Sequence, residues 1–160
     1  MTEAHLNALS KKVIGAALDL RRELGPGLDE LDYEQALSRS LTKAGIANEW
    51  QVPLPIVYKG RQLDCGYRQL VPVLYEGVEL GQPFEMEFVI DGALPVMVLS
   101  VAEVTPLIEA PFRTKLRLGV WREGLLMNFN APTLRDGLRR LGVAPRRFLE
   151  RKAAMQRGLR

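Results

Sequence analysis

Apolar residues Leu6, Leu9, Val13, Ala17, Leu20 and Leu24 recur at three- and four-residue steps, with Lys11, Lys12, Asp19, Arg22 and Glu23 between them. That period predicts an amphipathic helix ending at Gly25-Pro26-Gly27. A second helix is expected from about Leu31 to Ala44, with Leu37 and Leu41 inward and Gly45 as its left-handed stop. From Trp50 to Val104 the pattern shortens to β-rich runs, punctuated by Lys59-Gly60 and Glu76-Gly77 and by prolines 53, 55, 72 and 83, as in a sheet with hairpin turns. The run from Phe84 to Ile90 alternates, setting Phe84, Met86, Phe88 and Ile90 on one face and Glu85 and Glu87 on the other. Val96-Met97-Val98-Leu99 is apolar on both faces, as a central strand would be. Thr105-Pro106 reads as a cap and first-turn pair opening a helix to about Leu118. Pro111 removes a backbone bond there at a cost of about 3 kcal/mol, so that helix is expected to be kinked or to start later. Gly124 to Asn130 is expected as a last strand, Thr133 to Leu141 as a short helix, and Arg146 to Arg160 as a basic, weakly amphipathic helix or a frayed tail.

The sheet region contains an internal echo. The stretch Val52 to Leu63, with Tyr58-Lys59-Gly60, is matched by Val71 to Leu80, with Tyr75-Glu76-Gly77. A second strand follows each copy, Gly66-Tyr67-Arg68 and Pro83-Phe84-Glu85, which reads as a duplicated β-hairpin too short in copies for a solenoid.

Composition narrows the chemistry. The 160 residues suit one soluble domain with a sizeable core. Charges within the first thirty residues leave no uninterrupted apolar stretch for a signal peptide, and nothing later approaches a membrane span, so a cytoplasmic location is expected. One cysteine, Cys65, precludes an internal disulfide, and with one histidine, His5, a Cys/His zinc site is also excluded. The net charge of +3 is uneven: residues 131–160 hold nine Lys/Arg against two Asp/Glu, leaving thirteen against seventeen in residues 1–130. Arg139, Arg140, Arg146, Arg147, Arg151 and Lys152 could neutralise phosphates of DNA or RNA, or form a solvated terminus, and no motif there reads a sequence.

Several segments in order carry a resemblance: Gly27-Leu28-Asp29-Glu30-Leu31-Asp32-Tyr33, Gln51-Val52-Pro53-Leu54-Pro55, Tyr58-Lys59-Gly60, Leu63-Asp64-Cys65-Gly66-Tyr67-Arg68 and Asn128-Phe129-Asn130. Over roughly residues 8–142 the chain resembles the GxxExxY family, a small bacterial branch of the PD-(D/E)xK nuclease superfamily. The resemblance implies an α/β (α+β) restriction-endonuclease-like αβββαβ core over residues 1–142, with an extra hairpin within about 51–91 and a basic extension over 143–160. It also implies a strand Asp, a Glu-x-Lys on the next strand and a preceding helix Glu around Mg²⁺ or Mn²⁺. Hard carboxylate oxygens hold such an ion, and the lysine positions and activates water beside the phosphate.

Carried over residue by residue, the helix glutamate is Glu30, and the strand Asp falls on Leu70 or Glu87 according to which hairpin copy is aligned. Glu87 gives the family's spacing to the next motif, where Glu-x-Lys has become Met97-Val98-Leu99. The family's His-Glu-Ala-Gln has become Ile108-Glu109-Ala110-Pro111. A thioether is a poor ligand for Mg²⁺, and Leu99 neither binds metal nor donates a proton. The expectation is a degenerate nuclease scaffold without efficient cleavage or a bound cofactor, retained to bind nucleic acid or protein. Two alternatives stay open. One is a Mg²⁺- or Mn²⁺-dependent nuclease with carboxylates migrated to Glu85, Glu87, Glu103 or Glu109. The other is an adaptor module using the duplicated hairpin to pair with itself or a partner. Cys65 is expected as packing rather than a nucleophile, with no histidine near it.

Overall fold

The N-terminal helices form where the apolar period places them: α1 spans Glu3–Leu24 and α2 spans Glu30–Lys43. Thr2 caps α1, its side-chain oxygen accepting the His5 N–H at 3.2 Å. Gly45, at φ 75°, adopts the left-handed conformation that lets the Ile46 N–H return to the Leu41 carbonyl at 2.9 Å. The computed structural model describes residues 1–54, 56–58, 61–63, 73–75, 78–80 and 85–143.

Among the described residues nine strands follow: β1 Asn48–Pro53, β2 Ile56–Tyr58, β3 Arg61–Leu63, β4 Val73–Tyr75, β5 Val78–Leu80, β6 Glu85–Ile90, β7 Leu94–Leu99, β8 Glu123–Asn128 and β9 Leu138–Gly142. Five of them make one sheet in the order β1-β6-β7-β8-β9, in which only β7 and β8 run parallel. The connection between these parallel strands carries α3, Pro106–Leu118, because a parallel pair requires a long crossover. As its two-sided apolar sequence predicts, β7 lies inside the sheet. Leu94, Val96 and Val98 join the core under α1 and α2, built from Leu9, Val13, Ala17, Tyr33, Leu37 and Leu41. Met97 and Leu99 pack on the opposite face, with Phe112 and Leu116 of α3. Gly124 lets α3 come close, since a Cβ there would lie 2.6 Å from Phe112 Cζ and 2.9 Å from the Pro95 carbonyl oxygen. The result is a mixed α+β sandwich with helices on both faces of the sheet.

One sequence expectation narrows and another changes. The third helix does not start late: it opens at its cap, where the Thr105 carbonyl accepts the Ile108 and Glu109 N–H groups at 3.0 and 3.2 Å, and Pro111 sits inside it. The missing bond falls in the turn begun by Leu107, whose side chain is 85% exposed, so the proline sits near the helix's solvent-facing start. Residues Thr133 to Leu141 are not a helix. They form a 3₁₀ turn over Arg135–Gly137 and then β9, with Leu138 opposite Met127 and Leu141 opposite Gly124. The helix-like spacing of Leu134, Leu138 and Leu141 yields to strand pairing with β8. Gly137 permits the turn, because a Cβ there would lie 2.3 Å from the Asn128 carbonyl oxygen.

Within the stretch read as a duplicated hairpin there are two short antiparallel pairs, with Tyr58 opposite Arg61 and Tyr75 opposite Val78. Both pairs lie in the chain between β1 and β6, which pair directly with each other, and among the described residues neither joins the five-stranded sheet. The turns Lys59-Gly60 and Glu76-Gly77, the expected strand Gly66–Arg68, Cys65, Leu70 and Arg146–Arg160 lie outside the described residues.

Candidate functional site

The candidate site sits where the sheet divides. β6 and β7 are joined by a tight turn, with Asp91 at φ 51° and Gly92 at φ 64°, and pair only at Val89–Pro95 and Ile90–Leu94. Beyond that point β6 follows β1, with Trp50 opposite Phe88 and Pro53 opposite Glu85, while β7 follows β8, with Met97 opposite Leu126 and Leu99 opposite Asn128. Two strands that take different neighbours diverge, and the fork has Glu87 on one arm and Met97 and Leu99 on the other.

Each arm meets a helix. From α3, Lys115 forms an ion pair with Glu87 Oε1, with its own side chain only 12% exposed. The other oxygen, Glu87 Oε2, is buried without a hydrogen-bond partner among the described residues. Met97 and Leu99 pack with Phe112 and Leu116 of α3, the helix that also carries Lys115. From α2, Glu30 stands at the first helical position, favourable at the positive end of the helix dipole. Its Oε1 accepts the Ser100 N–H at 3.4 Å, and Ser100 Oγ donates to the Leu28 carbonyl at 2.7 Å, tying the end of β7 to the start of α2.

One turn further along α2, burial pushes the Glu34 carboxyl up from its ordinary 4.5 to about 7, with the charges of Glu87 and Glu30 adding to the rise. Because folding raises this affinity for a proton, the folded state binds more protons than the unfolded chain between these values. Stability from Glu34 is therefore fully present below about pH 4.5 and is lost as pH rises through about 7. The expected amplitude is about 1–2 kcal/mol once partial exposure is discounted. Chemical denaturation at pH 5 and pH 8 should show this loss in the wild type and a flatter profile in Glu34→Gln; parallel profiles would contradict it.

The motif residues around the fork are its scaffolding. Tyr33 is fully buried and stacks on Phe129 at 4.4 Å between ring centroids and 19° between planes. Its hydroxyl donates to the Gly25 carbonyl at 2.6 Å and accepts the Leu28 N–H at 3.2 Å, closing the loop that leads to Glu30. Asn128 Oδ1 accepts the Val101 N–H at 3.1 Å and its Nδ2 donates to the Val101 carbonyl at 3.0 Å, clamping the segment after β7. Arg21 of α1 donates Nε to the Phe129 carbonyl at 2.7 Å and a terminal N–H to the Ala131 carbonyl at 3.0 Å.

Of the other candidates, Glu85 opens β6 opposite Pro53. Glu103 is exposed beyond β7, lining with Asp136 and Arg139 an open depression of about 180 Å³. Glu109 is paired with Arg139, and with Arg113 at 3.6 Å, and Arg140 with Glu123 and Asn7, so the two described arginines of the basic set already have partners within the fold. Sequence reasoning missed Glu34 and Lys115. Glu34 was legible as the residue one turn after Glu30, hence on the same helix face. Lys115 stands one turn beyond Pro111 on α3, and only the packing of that helix against the sheet assigns it to Glu87.

This donor set does not fit the divalent ion implied by the fold. One oxygen of Glu87 is held by an ammonium, and Met97 on the neighbouring strand offers only a thioether, a poor ligand for a hard cation. Among the described residues no three Asp, Glu, His or Cys side chains converge so as to hold a metal. Likewise, among these residues no helix is long and apolar enough to cross a membrane.

Comparison with known families accords with this architecture. The family model of the PD-(D/E)XK nuclease superfamily matches residues 7–71 and 68–141. Its two stretches meet in the sequence between β3 and β4. No curated protein and no solved structure gives a match. The forked sheet, with its helices on both faces, is thus the framework of a chain that belongs to the PD-(D/E)XK nuclease superfamily.

Proposed function

We propose that this chain is a GxxExxY-type member whose cleavage site has been rebuilt as an ion pair in an apolar setting, and that it acts in the cytoplasm as a nucleic-acid-binding protein. The Glu87–Lys115 ion pair, with Met97 and Leu99 packed on apolar residues of the same helix, carries the first half of this reading. An ammonium from α3 supplies the positive charge that a forked carboxylate otherwise takes from a metal, and nothing at position 99 can position or activate water.

The uneven charge supports the second half. Since Arg139 and Arg140 have acidic partners within residues 1–142, phosphate contacts fall to Arg146, Arg147, Arg151 and Lys152 in the extension 143–160. Fluorescence anisotropy on DNA and RNA oligonucleotides is expected to show salt-sensitive binding. Replacing those four residues with alanine should weaken it at least about tenfold and lower the salt slope by about 3. Equal affinity of the wild type and this variant would overturn the assignment.

A second reading, a nuclease with migrated carboxylates, is favoured by one observation: Glu87 Oε2 is buried without a hydrogen-bond partner, in a fork that also bears on Glu30 and Glu34. Titration calorimetry with Mn²⁺ separates the two. The ion-pair reading predicts no saturable heat, whereas a stoichiometric site lost in Glu87→Gln would favour a migrated metal centre.

A further inference from the structure

We propose that the C-terminal turn of α3 and the loop after it form a second contact with a nucleic-acid phosphate backbone, made by Arg117 and Arg122 beside Val143, the first residue of the basic extension. The proposal rests on the nucleic-acid reading above and adds folded residues to it. Residues 110–122 carry Arg113, Lys115, Arg117 and Arg122 and no Asp or Glu. Two of these cations are used within the fold: Lys115 pairs with Glu87, and Arg113 with Glu109 at 3.6 Å. The other two have no acidic partner among the described residues. Arg117 donates to the Thr114 hydroxyl at 3.2 Å, and Arg122 is exposed, its side chain making no hydrogen bond or ion pair among those residues.

The backbone gathers these residues at one place. Arg113 Nη1 donates to the Gly142 carbonyl at 3.3 Å, and the Val143 N–H donates to the Arg122 carbonyl at 2.9 Å, so α3 and its loop bracket the end of β9. Arg117 stands one turn beyond Arg113 on the same helix face, about 6 Å along the axis. A cation in the last turn suits the helix dipole, which accounts for Arg117 in part. Arg122 lies beyond that turn, where the dipole effect has faded. Arginine presents a planar fork of donors that matches phosphate oxygens two at a time. A protein partner would instead need an apolar or aromatic anchor at the centre of the patch. The patch offers none: Phe112 and Leu116 are buried, and Trp121 is half-buried with its indole N–H donating to the Gly92 carbonyl at 3.3 Å. Such a contact positions a polyanion and reads no sequence.

Fluorescence anisotropy of the full chain on a short DNA duplex, across a salt series, reads this directly. Arg117→Gln with Arg122→Gln is expected to weaken binding about five- to tenfold and to lower the salt slope by about 2. Lys11→Gln with Lys12→Gln removes the same charge from exposed positions of α1, on the opposite face of the sheet, and should weaken binding less than about twofold. Thermal unfolding checks the fold of each variant. If the arginine pair lowers the melting temperature, Arg122→Gln alone removes a side chain without bonds among the described residues and should lower the slope by about 1. No binding by the wild type would overturn this proposal together with the reading it rests on. Binding lost in the four-alanine variant of the extension but unchanged in the arginine variants would overturn this proposal alone. So would an equal loss in the α1 pair, which would make the effect one of net charge. Displacement of the duplex by polyglutamate as readily as by unlabelled duplex would point to an acidic protein instead.

Discussion

Tyr33→Ala is expected to lower the unfolding free energy by about 4 kcal/mol, a large share of the marginal stability of a domain this size. Its ring is fully buried and stacked on Phe129, so truncation opens a cavity at the centre of the α1/α2 face. Its hydroxyl also takes the Leu28 N–H and gives its proton to the Gly25 carbonyl, and both lose that partner. Tyr33→Phe isolates the second effect and should cost about 1–2 kcal/mol. Urea unfolding of the three proteins measures the series; a cost for Tyr33→Ala no greater than for Tyr33→Phe would contradict the packing role. Tyr33 thus acts on Glu30 from a distance, by holding the loop from Gly25 to Leu28 that leads to it.

Lys115→Met is the second large effect. It is expected to destabilise the protein by about 2–3 kcal/mol at pH 8, because an uncompensated carboxylate remains in the fork. The lower end applies because the Glu87 side chain is 42% exposed and water can screen it. At pH 5 the cost should shrink, since the Glu34 carboxyl, raised to about 7, is then neutral and repels Glu87 no longer. Combining Lys115→Met with Glu87→Gln removes both charges and should restore most of the wild-type stability, as replacement of a whole ion pair often does. A double variant no more stable than the single one would show that Lys115 supports the fold by another route.

The elements with strong periodicity were legible in the sequence. α1 and α2 follow apolar residues at helical spacing, and the two-sided apolar run of β7 places it inside the sheet. Weak signals failed where tertiary contacts decide. Leu134, Leu138 and Leu141 fit a helical period, yet β8 offers an open edge and Gly137 a close approach, so β9 forms instead. The candidate site was half legible. The order of motifs singled out Glu30, Glu87, Met97 and Leu99, of which Glu87 and Met97 lie on the neighbouring strands β6 and β7. Lys115 stayed hidden because it comes from a helix 28 residues later in the chain, and sequence spacing alone does not show which helix face meets the carboxylate.

The most direct test of the account is a cleavage assay on the purified full chain, with plasmid and single-stranded DNA in the presence of Mg²⁺ or Mn²⁺. A fork in which Lys115 neutralises Glu87 and the facing strand carries Met97 and Leu99 predicts intact substrate in every lane. Metal-dependent cleavage abolished by Glu30→Ala or Glu87→Ala would contradict it.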